Sequence, residues 1–136
     1  MNNPASFQLD DYIFNNILLR FEKELPKDIN IDIVPSGVFN VDNSLFDLTF
    51  EFVAFGIDRE KPFIKINCIG SFVFQNIKTI NEIPEYFYRN AMALLFPYLR
   101  AFISVLTLQA NIPPLVLPTY NLSQLEKPLR ENTTTN

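Results

Sequence analysis

At 136 residues the chain is long enough to bury one core and short for two. Apolar residues make up 48% and charged residues 19%, with 14 Phe and no Trp, which is too hydrophobic for a disordered chain. The formal charge of −4 argues against nucleic-acid binding, which needs a basic face to displace phosphate counterions.

Residues 1–6 read as a flexible N-terminus. The opening strand, about 7–21, places Phe7, Leu9, Ile13, Ile17, Leu19 and Phe21 on one face, and the polar run EKELPKD comes after it as a loop. The second strand, about 29–41, puts Ile29, Ile31 and Ile33 on one face, with Pro35-Ser36-Gly37 marking a bulge or bend. In the third, about 45–57, Phe46, Leu48, Phe50 and Phe52 alternate strictly with Asp47, Thr49 and Glu51. The fourth, about 62–75, sets Ile64, Ile66, Cys68, Phe72 and Phe74 against Lys65, Asn67 and Ser71. The charged GIDREKP between them predicts a hairpin loop near Asp58–Lys61. A helix over about 82–110 comes next, with Asn81 as N-cap, Pro84 in the first turn, and Glu82 and Glu85 at its positive end. Pro97 in its middle predicts a kink or a break, and Pro113-Pro114 ends it.

That helix poses the main physical question. Arg89, Arg100, Ser104, Thr107 and Asn111 fall in a polar stripe roughly 80° wide at ~100° per residue, and nearly all the remaining circumference is apolar. Composition alone fits a membrane span. Arg100 near its centre would cost several kcal/mol, Pro97 adds to the objection, and the amphipathic strands need a cover, so no membrane insertion is expected. About 29 residues at ~1.5 Å each span roughly 43 Å, whereas a compact domain of this size has a radius of gyration of about 14 Å. A sheet covers one side of such a helix. The economical cover for the other is a second copy, and Leu95, Phe96, Leu99, Phe102, Ile103 and Leu106 are the expected oligomer interface.

The chain lacks the usual equipment of an enzyme. Without His, the commonest general base and metal ligand is missing, and one Cys cannot build the usual zinc sites. Gly37, Gly56 and Gly70 are too scattered for a phosphate-cradling loop. Asp10, Asp11, Asp58 and Glu60 read as solvated charges at turns and strand edges. No catalytic residue, metal or cofactor is expected. The opening MNNPASFQLDDYIF lacks a basic start followed by an apolar run. With the lone cysteine, it makes cytoplasmic residence the expectation.

The segment NAMALLFPYLRAFISVLTLQANIPPLVLPTYNLSQL resembles the signature region of the SecB protein-export chaperones. The likeness lies in Asn90, a Leu95-Phe96-Pro97-Tyr98-x-Arg100 helix, a Pro113-Pro114-Leu115 and Leu117-x-Pro118 connector, and Asn121 leading a short helix, about 121–127. With the flanking strands the resemblance covers about 7–126, and it leaves residues 128–136 as a polar, disordered tail after a single domain, 7–127. It implies an α+β fold, a four-stranded antiparallel sheet with one long and one short helix on one face, assembled as a homotetramer, a dimer of dimers. It also implies an ATP-independent holdase that binds unfolded or non-native polypeptides and hands export clients to the SecA motor. The client groove would be bordered by Ile112, Leu115, Val116, Leu117, Tyr120, Leu122 and Leu125, although Leu115, Leu117, Leu122 and Leu125 read equally well as packing for the short helix. Asn16, Arg20 and Ile66 stand where export-dedicated members carry the acids that dock the basic SecA tail. Weak or absent SecA binding is therefore expected, since that dock works by charge complementarity. Two further readings are a SecB-like chaperone dedicated to one client, such as an antitoxin, and a carrier of a small apolar ligand.

Overall fold

Strict alternation builds the middle of the sheet. In the computed structural model, which describes residues 6–22, 27–113, 115–117 and 121–136, strands β3 (Leu45–Phe55) and β4 (Ile64–Phe74) of the hairpin pair antiparallel from Leu45↔Val73 to Ala54↔Ile64. Phe46, Leu48, Phe50 and Phe52 on one strand, and Ile64, Ile66, Cys68 and Phe72 on the other, are fully buried on one face. The loop turns on Asp58, whose carboxylate accepts the Glu60 N–H at 2.9 Å and whose carbonyl accepts the Lys61 N–H at 3.0 Å.

The second strand, β2 (Asn30–Asn40), pairs with β3 without a register shift from Asn30↔Phe55 to Asn40↔Leu45, so the bulge expected at Pro35-Ser36-Gly37 does not form. The reason is orientation. The Pro35 carbonyl, the Gly37 N–H and the Phe39 carbonyl all bond to the C-terminal segment on the side away from β3, so proline gives up no bond to β3. Gly37 is required by close approach, because a Cβ there would come within 2.3 Å of the Phe46 ring.

The first strand, β1 (Phe7–Leu19), pairs with β4 and departs most from the expected pattern. Two register shifts, between Leu9 and Asp11 and between Asn15 and Leu18, each insert an extra residue and flip the parity of the residues beyond it. Phe7 and Leu9 pack on the core, but Ile13 turns outward opposite Ile69 and is 58% exposed. Tyr12 and Phe14 take the inward places, Tyr12 stacking on Tyr98 at 4.4 Å and Phe14 on Phe102 at 4.1 Å. Asn16 sits in the second bulge at φ 51°, a conformation asparagine tolerates better than most residues. The register partners Asn15 and Asn67 both bury Oδ1 without a hydrogen-bond partner among the described residues.

A short 3₁₀ turn, Ile80–Glu82, opens the helical layer ahead of helix α1 (Glu85–Gln109), so α1 begins three residues later than Asn81 predicts. Pro84 forces the change, since a residue before proline avoids helical angles, and Ile83 is extended at ψ 121°. The break foreseen at Pro97 does not occur and α1 runs through it. Pro97 and Ala93 are both exposed, so the carbonyl that proline leaves unbonded faces water. By length and a mean hydropathy of 1.8, α1 would suffice to cross a membrane. It lies instead along the sheet, with Phe87, Ala91, Met92, Leu95, Leu99 and Ile103 fully buried.

A second 3₁₀ turn, Leu122–Leu125, leads into α2 (Glu126–Glu131), and β5 (Thr133–Thr135) then pairs parallel with β2. The sheet therefore has five strands in the order β1, β4, β3, β2, β5 and is mixed, in place of the expected four antiparallel ones. The tail expected to be disordered supplies the end of α2 and this added strand. Threonine favours extended backbone, and the edge of β2 offers free donors and acceptors. Residues 1–5 of the N-terminus expected to be flexible, and residues 23–26 of the polar loop, lie outside the described residues.

Candidate functional site

The connector leaves α1 through Asn111, whose positive φ of 61° reverses the chain, and the Ile112 N–H bonds back to the Thr107 carbonyl at 3.3 Å. Thr107 then holds the returning segment. Its Oγ1 accepts the Leu115 N–H at 2.9 Å and donates to the Ile103 carbonyl at 2.9 Å, while the Ser104 hydroxyl reaches the Leu115 carbonyl at 3.4 Å. Two members of the polar stripe are thus not solvated. They dock the connector, and Thr107 is wholly buried in doing so. A helical threonine and serine three residues apart, directly before a Pro-Pro break, are the signal that sequence reasoning left unused.

Along this segment the seven expected client residues divide. Leu117 and Leu125 are buried and belong to the core. Ile112, Leu115 and Leu122 are half-buried, and Val116 is 61% exposed. Tyr120, with Pro114 and Pro118, lies outside the described residues. Asn121 starts the next turn, its Oδ1 accepting the Ser123 N–H at 3.2 Å.

The second helix is fastened to the first by Leu125 and Leu129, which enter the core, and by a charged cluster. Glu126 accepts from Arg89 at 3.1 Å and from Arg130 at 3.2 Å, and Arg130 also donates to the Glu85 carbonyl at 3.0 Å. The Arg130 guanidinium lies 4.5 Å from the Tyr88 ring centroid. Burial pushes the Tyr88 phenol up and the nearby Arg130 charge offsets part of that rise. Cys68 is buried in the core and its thiol is pushed up to about 12 by desolvation, the opposite of an activated nucleophile.

Four of the six residues expected at an oligomer interface are turned into the chain's own core. Leu95, Phe96, Leu99 and Ile103 are buried against the chain's own sheet, and Phe102 and Leu106 are half-buried beside them. A helix apolar nearly all round gives no phase from its sequence. The outward apolar side chains are Leu94, Val105 and Leu108, from 46% to 59% exposed, while Tyr86 and Tyr98 lie at the margin of the sheet beside Phe7 and Tyr12. Of the three positions aligned with a SecA dock, Asn16 and Arg20 are exposed. Ile66 is fully buried opposite Phe52, because the even-numbered residues of β4 face the helix, so it cannot belong to the outer face.

This order of strands, with a long helix laid across the sheet and a short one fastened beside β2, is the SecB-like fold. The likeness is to the SecB-like chaperone Rv1957 of Mycobacterium tuberculosis, solved in complex with a ChAD peptide from the Rv1956 HigA1 antitoxin. It has a TM-score of 0.68 and 16% identity, and covers 85% of this chain and 88% of that one. Among curated proteins, the uncharacterized protein MJ0357 of Methanocaldococcus jannaschii is 40% identical over 60 residues, 41% of this chain. The match spans 39% of that protein's length. No family model matches the chain.

Proposed function

We propose that this chain is an ATP-independent holdase that binds unfolded or non-native polypeptide along the connector and keeps it competent for folding or export. The observation that carries the reading is Val116, 61% exposed at the crest of a connector pinned by Thr107 and flanked by half-buried Ile112, Leu115 and Leu122. A holdase needs exposed apolar surface that the unfolded state prefers, and no catalytic group. On this reading the chain is not an enzyme, requires neither cofactor nor metal, and works in the cytosol.

A dedicated-client reading is favoured by one finding, that the structural neighbour of the same fold was solved holding an antitoxin peptide. Assembly as a homotetramer, built as a dimer of dimers, belongs to the same proposal. It is supported by the outward apolar residues of α1 and by the position of β1 at the edge of the sheet, since long edge strands invite pairing. SecA is a weak partner in this account, with Lys65 exposed on the outer face next to buried Ile66. The carrier reading asks for a closed apolar cavity. Among the described residues, an open depression of about 410 Å³ at the α1–α2 junction is lined by Glu85, Tyr86, Arg89, Asn90 and Glu126, and its charged lining suits an apolar ligand poorly.

The test is a binding titration with a permanently unfolded client, comparing the parent with Val116→Ser combined with Tyr120→Ser. The double variant should bind several-fold more weakly at unchanged helicity. Equal binding would remove the connector from the site. Displacement of an apolar dye by fatty acids but not by the unfolded client would favour the carrier.

A further inference from the structure

On one side the sheet ends in the short strand β5. β5 runs parallel to β2 with Gly37↔Thr133, Val38↔Thr134 and Phe39↔Thr135 in register. Gly37 N–H donates to the Asn132 carbonyl at 3.2 Å, Asn136 N–H to the Phe39 carbonyl at 2.8 Å, and Val41 N–H to the Asn136 carbonyl at 3.3 Å. The side chains add little to this hold. Asn132 Nδ2 donates to the Pro35 carbonyl at 3.2 Å and Thr133 Oγ1 to the Leu129 carbonyl at 2.6 Å, but Thr134 and Thr135 are exposed and the strand brings no apolar side chain of its own except the threonine methyls. A three-residue strand held by a few backbone bonds gains little over its ordering entropy.

We propose that β5 is a displaceable strap over a second client-binding element, in which an extended stretch of unfolded polypeptide takes the place of Thr133–Asn136 on the β2 edge at Gly37–Val41. The inference rests on the holdase reading and adds a built-in competitor to it. Three observations favour such an occupant. The seated strand is itself an extended peptide bonded only through backbone and small polar groups, so the edge accepts sequence-blind pairing. Val38 remains 38% exposed beside it, an apolar side chain that its register partner Thr134 leaves open and an apolar client residue would cover. Pro35 has no N–H, so the row of free donors is broken and pairing of two complete β2 edges from like chains is blocked, while a short client stretch beyond it is not. The strap is also continuous with the proposed client site, because one run of chain passes from the connector through α2 into β5. Displacing its end loosens the anchor of the short helix.

The experiment uses the full chain with Val38→Cys and Thr134→Cys, a register pair whose side chains are both exposed, while the native Cys68 stays buried. Binding of reduced, carboxymethylated lactalbumin is measured by fluorescence anisotropy on this protein before and after oxidation, and on a chain ending at Asn132. If the strap leaves the edge open about one fifth of the time, truncation tightens binding about five-fold and the oxidised form binds correspondingly more weakly than the same protein reduced. Equal affinity in all forms overturns the strap and leaves the holdase reading standing. Failure of the parent, the truncated chain and the reduced variant alike to bind overturns both. Self-association of the truncated chain in sedimentation, without tighter client binding, also overturns it, by making β5 a guard against like edges only. The oxidation comparison decides the matter even if truncation unfolds the chain.

Discussion

The hydroxyl of Thr107 is where the connector is fixed to the helix, accepting the Leu115 N–H while donating within its own helical turn. Thr107→Val keeps the shape and removes the acceptor. It should lower stability by about 1–3 kcal/mol, the cost of leaving a donor unpaired, and speed amide exchange at Leu115 relative to residues of β3. Unchanged exchange at Leu115 would show that the connector is held elsewhere. Cys68 gives a prediction with a sign. Its folded pKa, about 12, lies above the ordinary value of 9.0, so the native state keeps a proton that the unfolded state releases. Its contribution to stability is therefore full below about pH 9 and is lost as pH rises toward 12. Between about pH 8 and about pH 10 the parent should lose more stability in urea titrations than Cys68→Ala, whatever the variant's baseline. An equal loss would show that the thiol is not desolvated.

At the scale of elements, α1 carries one buried apolar face and one partly exposed one, and the proposed assembly uses the second. Leu94 and Val105 are 46% and 56% exposed, so Leu94→Asp with Val105→Asp should leave the fold intact and reduce the mass seen by light scattering. Phe102 stacks on Phe14, so Phe102→Asp should unfold the chain instead of dissociating it. A double variant that keeps the parent's mass would remove this face from the assembly. Legibility in the sequence tracked the regularity of each element. β3 and β4 were legible because period two runs through them unbroken, from Phe46 to Phe52 and from Ile64 to Phe74. β1 was not, because two bulges shift its parity, and the Asn15-Asn16 pair was the one local sign that the backbone there adopts a left-handed turn. α1 was legible as a helix but not in phase. Its buried face became identifiable only once the sheet beneath it was placed.

For the molecule as a whole, the α+β class and the SecB-like arrangement were readable from the helix-and-connector segment, whose prolines and aromatic spacing are distinctive. The fifth strand was not, since polar residues at a chain end look unstructured until a neighbouring strand offers them an edge. The candidate site was legible only in part. Val116 stands exposed, and Leu117 and Leu125, which read equally well as packing for the short helix, lie in the core, because alternation along a connector does not say which side the sheet lies on. The central claim is that this surface holds unfolded chains without a nucleotide. Its most direct measurement is light scattering from a chemically denatured, slow-folding protein diluted into buffer with and without this chain, and with and without ATP. The account predicts that the chain suppresses scattering in proportion to its concentration and that ATP changes nothing. Undiminished scattering at a several-fold molar excess, or suppression that appears only with ATP, would contradict it.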